Sequence, residues 1–359
     1  MLSRRLFLEE ASLASLLASF APPARAAVES LAAQGAPSRL VPKALKKGAV
    51  VALVSPASPG SDADSVEQAR EIVASFGFVP KVMPHAADRT MYLAGTDADR
   101  AADLNAAFAD PKVDGVWCVR GGYGSSRLLP LLDYAAIRKN PKPLIGFSDI
   151  TALLNGVHRL TGLVTFHGPT AGENQSEFTL SAFKRVLFET KAAGIVGQAA
   201  PFAAVEGKTD KQNRLRRITP GKAKGRLVGG NISVFSELVG TPFEPELRGS
   251  ILFLEEVGEE PYRIDRWLTG FLLSGKLTGC AGIVLGKFKD CGPKEFGSDY
   301  KGTWSWQEVA AERLGGLGIP VLAGISFGHI QDNATLPVGI EAELDVAAGT
   351  LSILEPAVA

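Results

Sequence analysis

The chain is short of the residues that mark disulfide scaffolds and metal sites. Its 359 residues include only three cysteines, Cys118, Cys280 and Cys291, and four histidines, His85, His158, His167 and His329. Three cysteines without metal-site spacing exclude a disulfide framework. Cys118, inside "GVWCV", reads as a buried thiol, whereas Cys280 and Cys291 could pair in an oxidising compartment. The histidines form no HxxxH or HxH pair, so no metal and no other cofactor is expected. An excess of charge is missing too, because Lys+Arg and Asp+Glu both number 38. A nucleic-acid binder would carry a basic excess or stripe. The densest basic run, "KTDKQNRLRR" at 208–217, is broken by polar and acidic residues and reads as a solvated linker. No apolar run reaches the ~20 residues that a membrane span needs.

What is present begins with the N-terminus. "MLSRRLFLEEASLASLLASFAPPARA" has a twin arginine, Arg4-Arg5, an apolar stretch from Ala11 to Ala21 and the small-x-small site Ala24-Arg25-Ala26. That order is a charged n-region, an h-region and a cleavage site, and the arginine pair resembles a twin-arginine export signal. Residues 1–26 are therefore expected to be a signal peptide directing the chain to the periplasm, with 27–47 as a tether.

From Gly48 onward, strands and helices alternate. "AVVALVSP" (49–56) is a continuous apolar run of the kind that parallel strands buried on both faces show. "DSVEQAREIVASFGF" (64–78) follows as an amphipathic helix. "DADRAADLNAAFADP", "VDGVWCV", "PLIGF" and "LVTFHGP" continue the alternation to about residue 169. The pattern predicts an α/β domain over 48–200 with a flavodoxin-like parallel sheet. A polar linker is expected over 201–225. Residues 226–359, with short strands such as "SILFLEE" and "AGIVLG" and turns at Gly339 and Gly349, predict a second, β-rich and barrel-like domain.

Chemistry in open α/β sheets gathers at the carboxyl ends of the strands, and two of those ends are unusual here. "RGGYG" (120–124) could let a ligand approach the backbone, or could cradle a phosphate at a helix start. It matches neither the dinucleotide nor the P-loop pattern. "LIGFSDITALL" (144–154) puts Ser148 where a buried strand turns into a helix. Ser148 could be an N-cap or the nucleophile of an elbow, although Ile150 stands where the G-x-S-x-G elbow has its last glycine. A serine nucleophile needs a base and a group that orients the base. His329, in "SFGHIQDN", reads as a histidine presented on a loop, with His167 in "TFHGP" as its competitor. The strand "ILFLEE" ends in Glu255 and Glu256, and alternation turns only one of them inward.

These segments together resemble the serine LD-carboxypeptidase family, the murein tetrapeptide carboxypeptidases, whose relatives include the microcin C self-immunity hydrolases. The matching stretches are "AGTDADRAADLNAAFADP", "RGGYGSSRLLPLLDY", "NPKPLIGFSDITALL", "TFHGP", "PGKAKGRLVGGNISV", "GTPFEPEL", "ILFLEEVGEEPYRIDR" and "SFGHIQDNATLPVG", in the family's order. The resemblance implies Ser148 as nucleophile, His329 as base, Glu255 as its orienting acid, and the N–H groups of Gly122 and Asp149 as oxyanion donors. It implies release of terminal D-alanine from an L-configured centre, of diaminopimelate or lysine, in a peptidoglycan stem peptide or muropeptide. Arg120 is a candidate for gripping the terminal carboxylate, and Asn231 for lining the pocket. No nucleic-acid partner is expected; a homodimer is compatible with the sequence. Two other functions fit: an amidase for acylated aminoacyl-nucleotides, and a non-catalytic periplasmic muropeptide-binding protein.

Overall fold

The structure is a computed structural model that describes residues 22–359 apart from 34, 36, 200–205, 208, 210–213 and 294–301. Arg4-Arg5 and the apolar stretch of the expected signal peptide lie outside the described residues, as does part of the 208–217 run. None of the described helices is long and apolar enough to cross a membrane.

The first sheet is built from β1 (Val50–Val54), β2 (Val79–Val82), β3 (Gly115–Cys118), β4 (Leu144–Gly146) and β5 (Thr165–His167). These pair in parallel in the order β2-β1-β3-β4-β5, the flavodoxin-like arrangement. β1, β3, β4 and β5 are buried almost throughout, as their apolar runs require. The helices α1 (Pro22–Ala33), α2 (Ser65–Ser75), α3 (Asp97–Ala109), α4 (Tyr134–Lys139), α5 (Thr151–Thr161) and α6 (Glu177–Leu187) belong to this half. α3 starts at an N-cap, Thr96, whose side chain accepts from the Asp99 N–H, and it ends before Pro111.

The second sheet takes β6 (Gly194–Gly197), β7 (Arg216–Thr219), β8 (Lys222–Asn231), β9 (Ile251–Val257), β10 (Gly282–Lys289), β11 (Val321–Ala323), β13 (Glu341–Asp345) and β14 (Thr350–Ile353). Its order is β6-β14-β13-β8-β9-β10-β11-β7, parallel from β8 to β11 and antiparallel on either side. The far edge curls back: Arg217 on β7 donates to the carbonyls of Val346 and Ala347 at the β13–β14 turn. Helices α7 (Ile232–Ser236), α8 (Pro261–Leu273) and α9 (Trp306–Leu314) complete this half.

Alternation along β9 divides two cores. Leu252 and Leu254 pack with Phe235, Ile264 and Leu268 under the helices, whereas Ile251 and Phe253 join the core that also contains the first sheet. Glu255 therefore leaves β9 on the face that looks toward the first domain, and Glu256 on the other.

The boundaries differ from the sequence reading in three places. Residues 27–47 are not a free tether. They carry the end of α1, bury Val28, Ala44 and Leu45, and pair with the body through Leu40 N–H to Gly162 O and Val164 N–H to Leu40 O. The expected linker contains β7 and the start of β8, whose polar residues lie on exposed sheet positions. The two halves also exchange strands. β6 pairs with β14 of the second sheet, and β12 (Leu336–Val338) adds an antiparallel edge to β5 of the first. Strands this short, one with a Pro that an edge tolerates, leave no periodic signature.

Candidate active site

The turn after β4 decides the role of Ser148. Phe147 is extended, Ser148 adopts φ +62°, and a single 3₁₀ turn over Ser148–Ile150 leads into α5. A left-handed conformation costs an L-residue ~1–2 kcal/mol, so the surroundings must hold it there. Two glycines make the room. A Cβ on Gly146 would lie 3.0 Å from the Ile150 side chain, and one on Gly121 would lie 2.9 Å from the Ser148 Cβ. Ile150 is fully buried, so the clearance that the elbow pattern assigns to its last glycine comes instead from Gly121, on the neighbouring loop. The Ser148 hydroxyl makes no cap to its own helix. It lies 2.8 Å from Nε2 of His329.

His329 reaches it from a loop of the second domain. Its Nδ1 is 2.6 Å from Oε2 of Glu255, whose side chain is completely buried at the end of β9. Gly328, at φ +112°, allows that approach, since a Cβ there would sit 2.7 Å from the same carboxylate oxygen. Burial opposes a charged His329 ring, but the charge and hydrogen bond of Glu255, with the charges of Glu256 and Glu173, outweigh it. The net effect lifts the imidazole above its usual pKa. Ser148, His329 and Glu255 thus form one continuous chain across the domain interface.

The competing assignments fall away on geometry. His167 is fully buried behind the site, 4.0 Å from the other oxygen of Glu255, and burial pushes its pKa down to about 4. Glu256 points to the opposite face, where it accepts from the Asn231 amide at 2.8 Å and the Ser233 N–H at 3.1 Å. Asn231, expected to line the pocket, is instead a brace. Its Nδ2 is taken by Glu256, and its Oδ1 accepts from Ser233 Oγ and the Val234 N–H at the start of α7.

The 120–125 loop is latched to the elbow. The Asp149 carboxylate accepts from the Ser125 N–H at 2.8 Å and the Gly124 N–H at 3.3 Å, and Ser125 Oγ donates to the Asp149 carbonyl. Burial raises the Asp149 pKa against the pull of those bonds and of Arg100. The Asp149 N–H lies at the helix start, where amide hydrogens lack an intrahelical acceptor. Gly122 has φ +115°, and a Cβ there would fall 2.4 Å from Ser58, whose Oγ accepts from the Tyr123 N–H. Arg120 is exposed and donates to the Pro59 carbonyl at 3.2 Å.

One supporting residue escaped the sequence reading. Arg100, wholly buried, donates to the carbonyls of Pro56 and Gly124 and pairs with Asp97, holding the two loops together. An arginine on an amphipathic helix carries no mark that separates it from a solvated one.

A cleft of about 440 Å³ opens beside the His329 ring, lined by Phe147, Pro169, Glu173, Lys289 and Gln331 among others. A separate cavity of about 360 Å³, lined by Arg39, Arg159, Arg226 and Arg248, contains none of Ser148, Glu255 and His329. The three cysteines are free and buried, with burial pushing Cys280 and Cys291 up to about 12. Among the described residues, His85, Asp88 and Asp99 bring possible metal-ligand atoms within 4.8 Å of one another. They are already tied by His85 Nδ1 to Asp88 and by Thr96 Oγ1 to Asp99.

Comparison with known proteins returns one group throughout. The family model described as the LD-carboxypeptidase N-terminal domain matches residues 51–168, and the one described as the C-terminal domain matches 224–344. A probable murein peptide carboxypeptidase of Bacillus subtilis is 36% identical, over 87% of this chain and 93% of that protein. The murein tetrapeptide carboxypeptidase of Pseudomonas aeruginosa is 34% identical, over 82% and 92%. The microcin C7 self-immunity protein MccF of Escherichia coli is 33% identical, over 74% and 80%. Among solved structures, MccF bound to glutamyl sulfamoyl guanosine superposes with a TM-score of 0.78 at 28% identity, covering 89% of this chain and all of that one. The muramoyltetrapeptide carboxypeptidase of Oxalobacter formigenes gives 0.72 at 29% identity, over 86% and 99%.

Proposed function

Because the chain belongs to the LD-carboxypeptidase family, we propose that it is a serine peptidase that removes terminal D-alanine from murein tetrapeptide stems. The observation that carries this reading is the relay of 2.8 Å and 2.6 Å from Ser148 through His329 to Glu255. Ser148 attacks the carbonyl of the L-centre while Nε2 of His329 takes its proton. Glu255 holds the ring in the tautomer that leaves Nε2 free, and stabilises the imidazolium that forms. The N–H groups of Gly122 and Asp149 receive the developing oxyanion. His329 then gives its proton to the departing amine of D-alanine, and water, activated the same way, releases the tripeptide.

The first test is to incubate disaccharide-tetrapeptide with the protein and with its Ser148→Ala variant, assaying free D-alanine. Release from the first and not from the second is expected; no release from any tetrapeptide would overturn the assignment and make acylated aminoacyl-nucleotides the next substrates. Phe147 is the aromatic side chain that lines the cleft among the described residues, and it packs against the His329 ring at 4.9 Å.

Gly122 carries a second expectation. Alanine at this position would meet both an unfavourable φ and the Ser58 side chain. Gly122→Ala should lower kcat by roughly 10²–10³ with a smaller change in KM, the signature of a lost transition-state contact. Steady-state kinetics on the same tetrapeptide would reveal it.

The N-terminal sequence supports a periplasmic site of action, on muropeptides or intact stems. Replacing Arg4 and Arg5 together by lysine should leave full-length precursor inside the cell. Unchanged appearance of mature protein in the periplasmic fraction would remove the twin-arginine reading.

A further inference from the structure

His167 has no part in the relay, yet its surroundings are unusual for a histidine. It ends β5, is fully buried, and neither ring nitrogen has a hydrogen-bond partner among the described residues. Buried polar atoms are nearly always paired. A further unpaired atom stands next to it. Oε1 of Glu255, the oxygen that His329 does not use, lies 4.0 Å from Nε2 of His167 and has no donor of its own. Three phenyl rings box the imidazole in: Phe147, Phe253 and Phe327 meet it edge to face, with centroids at 6.0, 5.3 and 6.4 Å. Leu336 of β12 pairs with His167 across the sheet, and a Cβ on the next residue, Gly168, would fall 2.9 Å from Thr335 Oγ1. So confined, the ring needs a shift of only ~1 Å to bring Nε2 within hydrogen-bond reach of Oε1. Burial pushes the His167 pKa down to about 4. The charge of His329 acts the same way, while Glu255 and the residue's own carbonyl pull against it. At neutral pH the ring therefore holds one N–H and no charge. Such a donor satisfies the carboxylate without bringing a second cation to compete with His329 for it.

We propose that His167 is a positioning residue for Glu255: it gives the N–H of Nε2 to Oε1 and so fixes the carboxylate with Oε2 turned to His329. The inference rests on the Ser148–His329–Glu255 reading above and adds the partner that orients its acid. It also lets the serine's domain hold the acid of the other domain, since β5 belongs to the first sheet and β9 to the second. The remaining charges that act on the His329 ring are those of Glu256 and Glu173. The Cys291 thiol, also within reach of Glu255, is pushed up to about 12 by burial and stays uncharged. Without the His167 N–H, Glu255 is anchored through one oxygen alone, and its pair with His329 holds their shared proton more tightly.

The experiment measures kcat, KM and the pH profile of kcat/KM for His167→Phe and His167→Gln on the tetrapeptide. Phenylalanine keeps a ring in the box and removes the donor; glutamine brings an uncharged N–H back. His167→Phe should lose about 10- to 100-fold in kcat, the scale of a misplaced catalytic group. Its KM should barely change, and its acidic limb should move to higher pH. His167→Gln should recover part of kcat and bring the limb back toward the wild-type position. A His167→Phe enzyme with wild-type kcat and limb overturns the inference. So do phenylalanine and glutamine variants that are equally slow with an unmoved limb, because that pattern marks packing alone. Nitrogen NMR of the unmutated protein, with labelled histidine, needs neither a folded variant nor a substrate. His167 should carry its proton on Nε2 at neutral pH; a proton on Nδ1 instead overturns the inference. If the wild-type protein releases D-alanine and Ser148→Ala does not, either negative result leaves the peptidase assignment standing. If the wild-type protein releases none, the assignment falls, and the nitrogen spectrum still decides whether His167 holds Glu255.

Discussion

Replacing Ser148 by alanine is expected to lower kcat for D-alanine release by roughly 10⁴- to 10⁶-fold, the loss that removal of a triad nucleophile brings in other serine hydrolases. The fold should survive, because alanine occupies the same left-handed backbone at much the same strain, and among the described residues the lost hydroxyl bonds only to His329. The strain itself makes a separate expectation. Glycine adopts φ +62° without the penalty that a Cβ brings. Ser148→Gly should therefore be as inactive as Ser148→Ala but more stable by about 1 kcal/mol. Denaturant unfolding of the two inactive variants, compared at equal slope, measures that difference directly. A glycine variant no more stable than the alanine variant would mean that the elbow is not strained.

The second large effect concerns Glu255 and pH. His329 serves as base only when neutral, and Glu255 raises its pKa above the ordinary value near 6.5. The acidic limb of kcat/KM should accordingly lie above pH ~6.5, with activity rising as the ring loses its proton. Glu255→Gln removes the anion while keeping the shape. Its amide favours the wrong imidazole tautomer and cannot stabilise the imidazolium, so kcat should fall by roughly 10⁴. Any residual activity should show its acidic limb shifted to lower pH, since burial is then opposed only by the lesser charges of Glu256 and Glu173. A pH–rate profile of the variant with an unmoved limb would assign that limb to another group. Glu255 is fully buried, and no Lys or Arg pairs with it among the described residues, so loss of its charge should not unfold the protein. Retained cooperative unfolding of Glu255→Gln would separate the chemical effect from a structural one.

Much of this was legible in the amino-acid sequence. The apolar runs at 49–54 and 144–147 have the composition of parallel strands buried on both faces, and the helical patterns between them impose crossover connections. Glycines at 121, 122 and 328 stand where a Cβ would fall under 3.0 Å from a neighbouring side chain, and Gly146 where it would be tight, so the loops around Ser148 and His329 carry their own signature. Ordered motifs over most of the chain identify the family, because such a series rarely recurs by chance.

Other features depended on the tertiary structure. Whether Glu255 or Glu256 faces the site depends on which side of β9 meets the first domain, and alternation alone is symmetric between the two. Asn231 reads equally well as a pocket residue or a brace until Glu256 and the start of α7 are placed around it. The exchange of β6 and β12 between the halves, and the clamp made by Arg100, rest on pairings across more than a hundred residues or on burial of a charge. Local sequence determined the strands, the helices and the elbow because those follow from side-chain periodicity and backbone strain. The pairing of one domain's serine with the other domain's histidine and glutamate is a long-range contact, and only the packed interface defines it.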